Sequence, residues 1–202
     1  MNEKDPLKNE HTGSYWDEQY STEQTGWDLK DASPPLKKYI DTIKNKDIAI
    51  LIPGCGNAYE AEYLLQQGFT NITLVDISTV LTNRLTKKYQ STPIQVINQN
   101  FFDHKAKYDL ILEQTFFCAL HPSFRERYVT QCIELLNDHG KIAGLLFNKK
   151  IADHETPYTA TNAIYKELFS PGFHFLRFEN CMDSIKPRLG SELFVEFEKK
   201  TN

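Results

Sequence analysis

Cysteine is scarce in this chain and widely scattered. The four residues, Cys55, Cys118, Cys132 and Cys181, include no pair at metal-ligand spacing, so no metal is expected. With no apolar leader segment ahead of the first aromatic residues, the expectation is reduced thiols in a cytoplasmic protein. Long hydrophobic runs are also missing: none approaches the roughly 20 residues that a bilayer span requires, so no membrane partner is expected. A basic excess is lacking too. The 23 Lys and Arg against 27 Asp and Glu leave a formal charge of −4, with both signs interspersed. A run of phosphates would find no surface to neutralise it, and nucleic acid is not an expected partner. Neither an internal repeat nor a low-complexity linker interrupts the chain. What remains is 202 residues, 40% of them hydrophobic, enough for one substantial core. The expectation is a single domain over residues 1–202, monomeric or weakly oligomeric, acting on a small molecule.

The first 30 residues are polar, yet both tryptophans of the chain, Trp16 and Trp27, lie there with Tyr15 and Tyr20. A disordered tail has little use for such rings, so residues 1–32 read as an arm folded back onto the core of residues 33–202. Ser33-Pro-Pro-Leu36 opens a helix, with Ser33 placed to cap and Pro34 at the first helical position, and its apolar spacing ends near Asn45. Strands and helices then alternate. Strands are expected at Asp47 to Pro53, Ile72 to Asp76, Ile94 to Ile97, Tyr108 to Leu112 and Lys141 to Phe147. Helices are expected at Tyr59 to Gln67, Thr79 to Tyr89, Ser123 to Leu136 (stopped by Asn137-Asp-His-Gly140) and Thr161 to Phe169. Phe173 to Glu179 and Glu192 to Glu198 can pair as an antiparallel ribbon at one edge. This order predicts an α/β fold: a mostly parallel sheet with helices on both faces.

In such a sheet, ligands approach the carboxyl ends of the strands, and the turn after the first strand comes closest to them. Gly54 and Gly56 occupy that turn, and Asp76 ends the second strand 22 residues after Gly54. A carboxylate placed there can accept hydrogen bonds from both hydroxyls of a ribose. Tyr59 stands where a dinucleotide site needs a third small residue, which argues against NAD. The third strand runs into Asn98-Gln-Asn-Phe-Phe-Asp103, where Asp103 can accept from an exocyclic amine and Phe101 or Phe102 can lie on a purine. Three consecutive strand ends suited to an amino acid, a ribose and a base point to S-adenosylmethionine.

Pro53-Gly-Cys-Gly56, Leu74-Val-Asp-Ile-Ser78 and Asn100-Phe-Phe-Asp103 resemble successive motifs of the class I S-adenosylmethionine-dependent methyltransferases. That resemblance implies a Rossmann-like sheet of seven strands with the last antiparallel. Trp16 with Tyr20, Thr25-Gly-Trp-Asp28, Tyr108 to Ala119, Leu135 to Gly140 and Thr156-Pro-Tyr158 resemble, more narrowly, the thiopurine methyltransferase superfamily. Within it the likeness is to the halide and thiol methyltransferase branch of plants. It implies that Trp16, Tyr20 and Trp27 form an N-terminal lid, that Gly54 and Gly56 take the cofactor's amino-acid end, and that Asp76 with Ile77 takes the ribose. Asn100, Phe101, Phe102 and Asp103 would take the adenine. Gln114 and Thr115 would lie near the sulfonium, and Tyr158 in the acceptor pocket. There are departures: Ala58 stands where many relatives have another glycine, Tyr20 where tryptophan is common, and Glu113-Gln114 where an Asp-Tyr pair is usual.

Methyl transfer from a sulfonium is an in-line displacement that needs alignment and dryness, and a base is optional when the acceptor is already an anion. Aromatic faces suit a cationic donor. Trp27, Phe116, Phe117 and Tyr158 are the candidate pocket residues, one of Phe116 and Phe117 being assigned to packing, and Arg188 can orient an anionic acceptor. His121 is a candidate base, although His121-Pro122 reads first as the turn before a helix; His154 is a weaker one. Cys55 and Cys118 read as small packing residues. The expected activity is methyl transfer to a thiol, bisulfide, halide or thiopurine-like sulfur. The alternatives are a small-molecule O- or N-methyltransferase and a cofactor-binding module without turnover.

Overall fold

The computed structural model describes residues 12–149 and 157–201. The apolar runs form strands. β1 (Ile50–Pro53) and β2 (Ile72–Asp76) are buried at every position, as strands covered on both faces must be. With β3 (Gln95–Asn98), β4 (Tyr108–Gln114), β5 (Leu136–Phe147), β6 (Phe173–Asn180) and β7 (Glu192–Lys199) they make one seven-stranded sheet, ordered β3-β2-β1-β4-β5-β7-β6. β1 to β5 pair in parallel, while β7 runs antiparallel to both β5 and β6. The expected ribbon is therefore present, but its reversed strand is not the edge. β7 is buried along its first four residues and lies inside, leaving the mostly exposed β6 outermost.

Alternate residues of the strands feed two cores. Ile50, Ile52, Leu74, Leu110, Leu112 and Leu145 face α2 (Pro34–Thr42), α3 (Tyr59–Gln66) and α4 (Thr79–Tyr89). Leu51, Val75, Ile111, Ile142, Val195 and Phe197 face α5 (Arg125–Leu135) and α6 (Asn162–Phe169). This period of two is what places successive side chains on opposite sides of a strand. α1 (Gly13–Ser21), in the arm, adds Tyr20 to the first core.

Several boundaries differ from the sequence reading, β1 for instance beginning at Ile50 rather than Asp47, and three of the differences have a local reason. α2 ends at Thr42, whose hydroxyl donates to the Tyr39 carbonyl at 2.6 Å, and Ser33 caps it without a side-chain bond, its amide being held by Glu60 Oε1 at 3.0 Å. α5 begins at Arg125, because Pro122–Phe124 forms a separate 3-10 turn. β5 begins at Leu136, ahead of the expected stop: its register on β4 jumps from Tyr108↔Leu136 to Leu110↔Lys141, so residues 137–140 bulge, with His139 left-handed at φ 58°.

Candidate active site

A cavity of about 600 Å³ opens at the carboxyl ends of β1, β2 and β4. Its floor is the turn between β1 and α3. Gly54, Gly56 and Ala58 are left-handed there, at φ 53°, 52° and 58°, and the residues between them are not. Alternation of this kind turns backbone amides to one side and makes a concavity suited to an anion, such as the carboxylate of an amino acid. Gly54 is required twice over: an L side chain is strained at that φ, and a Cβ would run into the ring of Phe116. Ala58, the departure from a third glycine, keeps the same left-handed turn.

Asp76 lies beside this turn, 7% exposed and lining the cavity. Its carboxylate accepts from the Ser78 amide at 2.9 Å and from the Gly56 amide. Burial pushes its pKa up to about 6, against the downward pull of those amides. After β3, Asn100 accepts from the Phe102 amide at 3.0 Å and starts the 3-10 turn Phe101–Asp103. Buried Gln131 of α5 supports that turn by donating to the Phe101 and His104 carbonyls at 2.9 and 2.8 Å. Phe101, Phe102 and Asn100 line the cavity; Asp103 does not. As the last residue of its turn, Asp103 points outward, its side chain 66% exposed and 3.9 Å from Arg127. It is thus not placed to receive an amine inside the cavity.

The arm covers one side. Tyr15, Trp16, Tyr20 and Trp27 all line the cavity, with Trp16 and Tyr20 edge-on to Trp27 at ring-centre distances of 5.2 and 5.9 Å. Asp17 fixes α1 to the start of α4, accepting from the Ser78 hydroxyl at 2.6 Å and the Val80 amide at 2.9 Å. Asp28 fixes the following loop to the glycine turn, accepting from Asn57 Nδ2 at 2.6 Å and the Tyr59 hydroxyl at 3.3 Å.

The far wall comes from the ends of β4 and β5 and the loop before β7. Gln114, Thr115, Phe116, Cys118, His121, Phe147, Pro157 and Arg188 line it. Phe117, by contrast, is 1% exposed in the core against Tyr128, Tyr165 and Phe169, so of the two phenylalanines Phe116 takes the pocket and Phe117 the packing. Arg188 is 7% exposed; its Nη2 donates to the Trp27 carbonyl at 2.7 Å, tying this wall to the arm. Its Nη1 stands 3.6 Å from Glu192 Oε1, and both of these buried atoms lack a hydrogen-bond partner. Gln114 Oε1 is likewise buried and unpartnered. Arg188 and Gln114 line the cavity, while Glu192 stands behind it. His121 both caps the 3-10 turn and lines the cavity, with its Nδ1 at 2.9 Å from the Ser123 hydroxyl. Tyr158 is not a lining residue; its ring meets His121 edge-on at 5.5 Å, and its amide donates to the Cys118 carbonyl at 2.8 Å. Cys55 and Cys118 are buried thiols pushed upward by burial, not reactive thiolates. His154 and Thr156 lie outside the described residues.

The structure thus brings Trp16, Tyr20, Trp27, Gly54, Gly56, Asp76, Ile77, Asn100, Phe101, Phe102, Gln114, Thr115, Phe116 and Arg188 around one cavity. It adds Asn57, Gln99 and Arg127, which the sequence reading does not single out, and Tyr59, which that reading uses only as an argument against NAD. Of these, Asn57 and Tyr59 lie inside the glycine motif and Gln99 inside the Asn98 to Asp103 motif, all open to notice; Arg127 carries no local signal. Among the described residues, no cluster of His, Cys, Asp and Glu can hold a metal ion, and no helix is long and apolar enough to cross a membrane.

The chain is 26% identical over 202 residues to a probable thiol methyltransferase 2 of Arabidopsis thaliana, covering 96% of this chain and 89% of that one. It is 26% identical over 193 residues to thiocyanate methyltransferase 1 of the same plant, covering 91% and 84%. Its fold is shared with the 1,6-didemethyltoxoflavin-N1-methyltransferase of Burkholderia thailandensis, crystallised with S-adenosylhomocysteine. That likeness has a TM-score of 0.72 at 18% identity, over 94% of this chain and 87% of the other. The family model for thiopurine S-methyltransferase matches residues 11–201, and the chain belongs to that family.

Proposed function

We propose that this methyltransferase passes the methyl group of S-adenosylmethionine to a small, soft nucleophile, a thiolate, bisulfide, halide or thiopurine-like sulfur, by in-line displacement. The observation that carries the reading is Arg188: a buried guanidinium at the wall of a cavity that also holds Trp16, Trp27, Phe116 and Phe147, its Nη1 making no hydrogen bond and meeting Glu192 only at 3.6 Å. A cation there attracts an acceptor that is already an anion, and such an acceptor needs no base. Of the four carboxylates that share the cavity, Asp76 is assigned to the donor, and the other three are engaged elsewhere: Asp28 by Asn57, Tyr59 and Lys30, Glu60 by the Ser33 amide, and Asp31 by Lys37 and the Ala32 amide.

The residues present fit the donor. The left-handed turn at Gly54 and Gly56 would hold its amino-acid end, Asp76 its ribose hydroxyls, and Asn100, Phe101 and Phe102 its base. When bound, it supplies a methyl group on a cationic sulfur. Trp16, Tyr20 and Trp27 act as a lid that excludes water and presents ring faces, worth about 0.5–2 kcal/mol per good cation contact. Arg188 orients the acceptor and Phe116 separates it from the core.

His121 on the cavity wall supports a second reading, in which it serves as base for an oxygen or nitrogen acceptor. One assay decides. The protein with S-adenosylmethionine is offered iodide, thiocyanate, bisulfide and an aromatic thiol, and separately a catechol and an amine, with methylated product measured. Product from the first set and loss of anion turnover in Arg188→Ala support the proposal; turnover confined to the second set overturns it. Silence on both, with S-adenosylhomocysteine bound, would mark a module without turnover.

A further inference from the structure

The buried carboxylate of Glu113 takes no part in the cavity surface, yet it is tied to it. Glu113, near the end of β4, is 1% exposed. Its Oε1 accepts from the amides of Phe116 and Phe117 at 2.8 and 2.9 Å, and its Oε2 accepts from the Tyr128 hydroxyl at 2.7 Å. The loop so gripped is Gln114 to Cys118, which lines the cavity at Gln114, Thr115, Phe116 and Cys118. Thr115, within it, is left-handed at φ 62°. That conformation is unfavourable for a β-branched residue and persists only where its surroundings over-determine it. Two charge-assisted bonds to the next two amides are the local constraint that does so.

We propose that Glu113 is a positioning residue: through the Phe116 and Phe117 amides, its ionised carboxylate holds the strained Thr115 turn in the shape that aligns acceptor and donor. The carboxylate sits among ionisable groups that are all neutral at pH 7. These are Tyr128 and Cys132 of α5, Tyr165 of α6 and Cys118 of the turn itself. Arg125 faces the Phe117 ring and Tyr165, and Arg188 faces Cys118 and Glu192; among the described residues no cation pairs with Glu113. Burial therefore pushes its pKa up to about 7, opposed only by the Phe117 and Phe116 amides and Tyr128. Protonation leaves the oxygens in place but removes the charge from both amide bonds, roughly halving their strength. The wall loosens as pH falls through neutrality, and in-line alignment suffers.

The kinetic test rests on the soft-nucleophile reading. Thiocyanate is an anion throughout, so kcat/KM for thiocyanate at saturating donor, from pH 6 to 8.5, reports the enzyme's own groups. Wild type should lose about tenfold toward the acid end. Glu113→Gln, which keeps the shape without the charge, should be flat at the low value. Tyr128→Phe removes a bond that holds Glu113 ionised, so its inflection should move to higher pH; a merely structural role would not shift it. A Glu113→Gln enzyme that titrates like wild type, or a Tyr128→Phe inflection that stays put, overturns the proposal. If Glu113→Gln does not fold, the Tyr128→Phe shift decides. Exchange of the Phe116 and Phe117 amides with deuterium, corrected for intrinsic rate, needs no acceptor. Their protection should fall between pH 8 and pH 6 in wild type, and should show no such fall in Glu113→Gln. No fall in wild type overturns the proposal. A fall in wild type without turnover of thiocyanate or iodide would instead count against the acceptor reading alone.

Discussion

Asp76 is a buried acid whose neighbours are mostly hydrogen-bond donors. The Ser78, Gly56 and Ile77 amides occupy part of its carboxylate, and the residue lines the cavity. Replacing it with alanine removes charge-assisted acceptors, and affinity for S-adenosylhomocysteine should fall by about 2 kcal/mol, roughly thirtyfold, in a calorimetric titration. Wild-type affinity in Asp76→Ala would take the residue out of the site. Because burial lifts this acid to about 6, affinity in the wild type should be level above pH 7 and decline below 6 as the carboxylate is neutralised. Gly54 offers a second residue-scale test. Gly54→Ala combines a left-handed φ with a clash against the Phe116 ring, so chemical denaturation should show a loss of about 1–2 kcal/mol. A loss below about 0.5 kcal/mol would mean that the ring yields freely. The glycine was legible in the sequence. The ring seated on it was not, since the pair is 62 residues apart and meets only when β4 lies beside β1.

Elements carry a different kind of information. α1 is short, has no strong apolar face of its own, and is held by one carboxylate: Asp17, on the Ser78 hydroxyl and the Val80 amide at the start of α4. An anion at a helix start also meets the positive end of the helix dipole. Asp17→Ala should therefore cost about 1–2 kcal/mol and speed limited proteolysis between residues 13 and 31. Unchanged cleavage would show that the tryptophans alone secure the arm. Sequence periodicity located nearly every strand and helix, because burial on two faces leaves continuous apolar runs and burial on one leaves spaced ones. It misjudged Leu136 to Gly140. A bulge needs no distinctive residues of its own, and the Asn-Asp-His-Gly string that ends many helices serves equally to let a strand kink. Likewise Asp103 looked like a ligand by its place after β3, but a 3-10 turn of three residues carries its last side chain to the outside.

At the scale of the whole molecule, four buried carboxyl groups, Glu60, Asp76, Glu113 and Glu192, are all pushed upward, chiefly by burial. Each binds its proton more tightly in the folded chain than in the unfolded one. The stability they contribute is complete below about pH 4, and it is lost as pH rises through their folded values, about 6 for Asp76 and about 7 for Glu113. Buried His104, lowered by desolvation, works in the opposite sense below its ordinary value of 6.5, one group against four. Asp28 and Asp31, which are lowered, matter only at more acid pH. The ligand-free protein should consequently melt at higher temperature at pH 5.5 than at pH 7.5. Donor binding should reverse that order, because the ionised Asp76 that weakens the empty fold is the form that grips the ribose. At pH 7.5, S-adenosylhomocysteine at a hundred times its Kd should stabilise by about 2.7 kcal/mol, which for a chain of this size raises Tm by roughly 5–10 °C. At pH 5.5 the same concentration should give a clearly smaller shift, and in Asp76→Asn the shifts at the two pH values should be equal. A scanning calorimetry series over both pH values, with and without ligand, checks all three; equal shifts in the wild type would separate the stability of the buried acid from the site it lines.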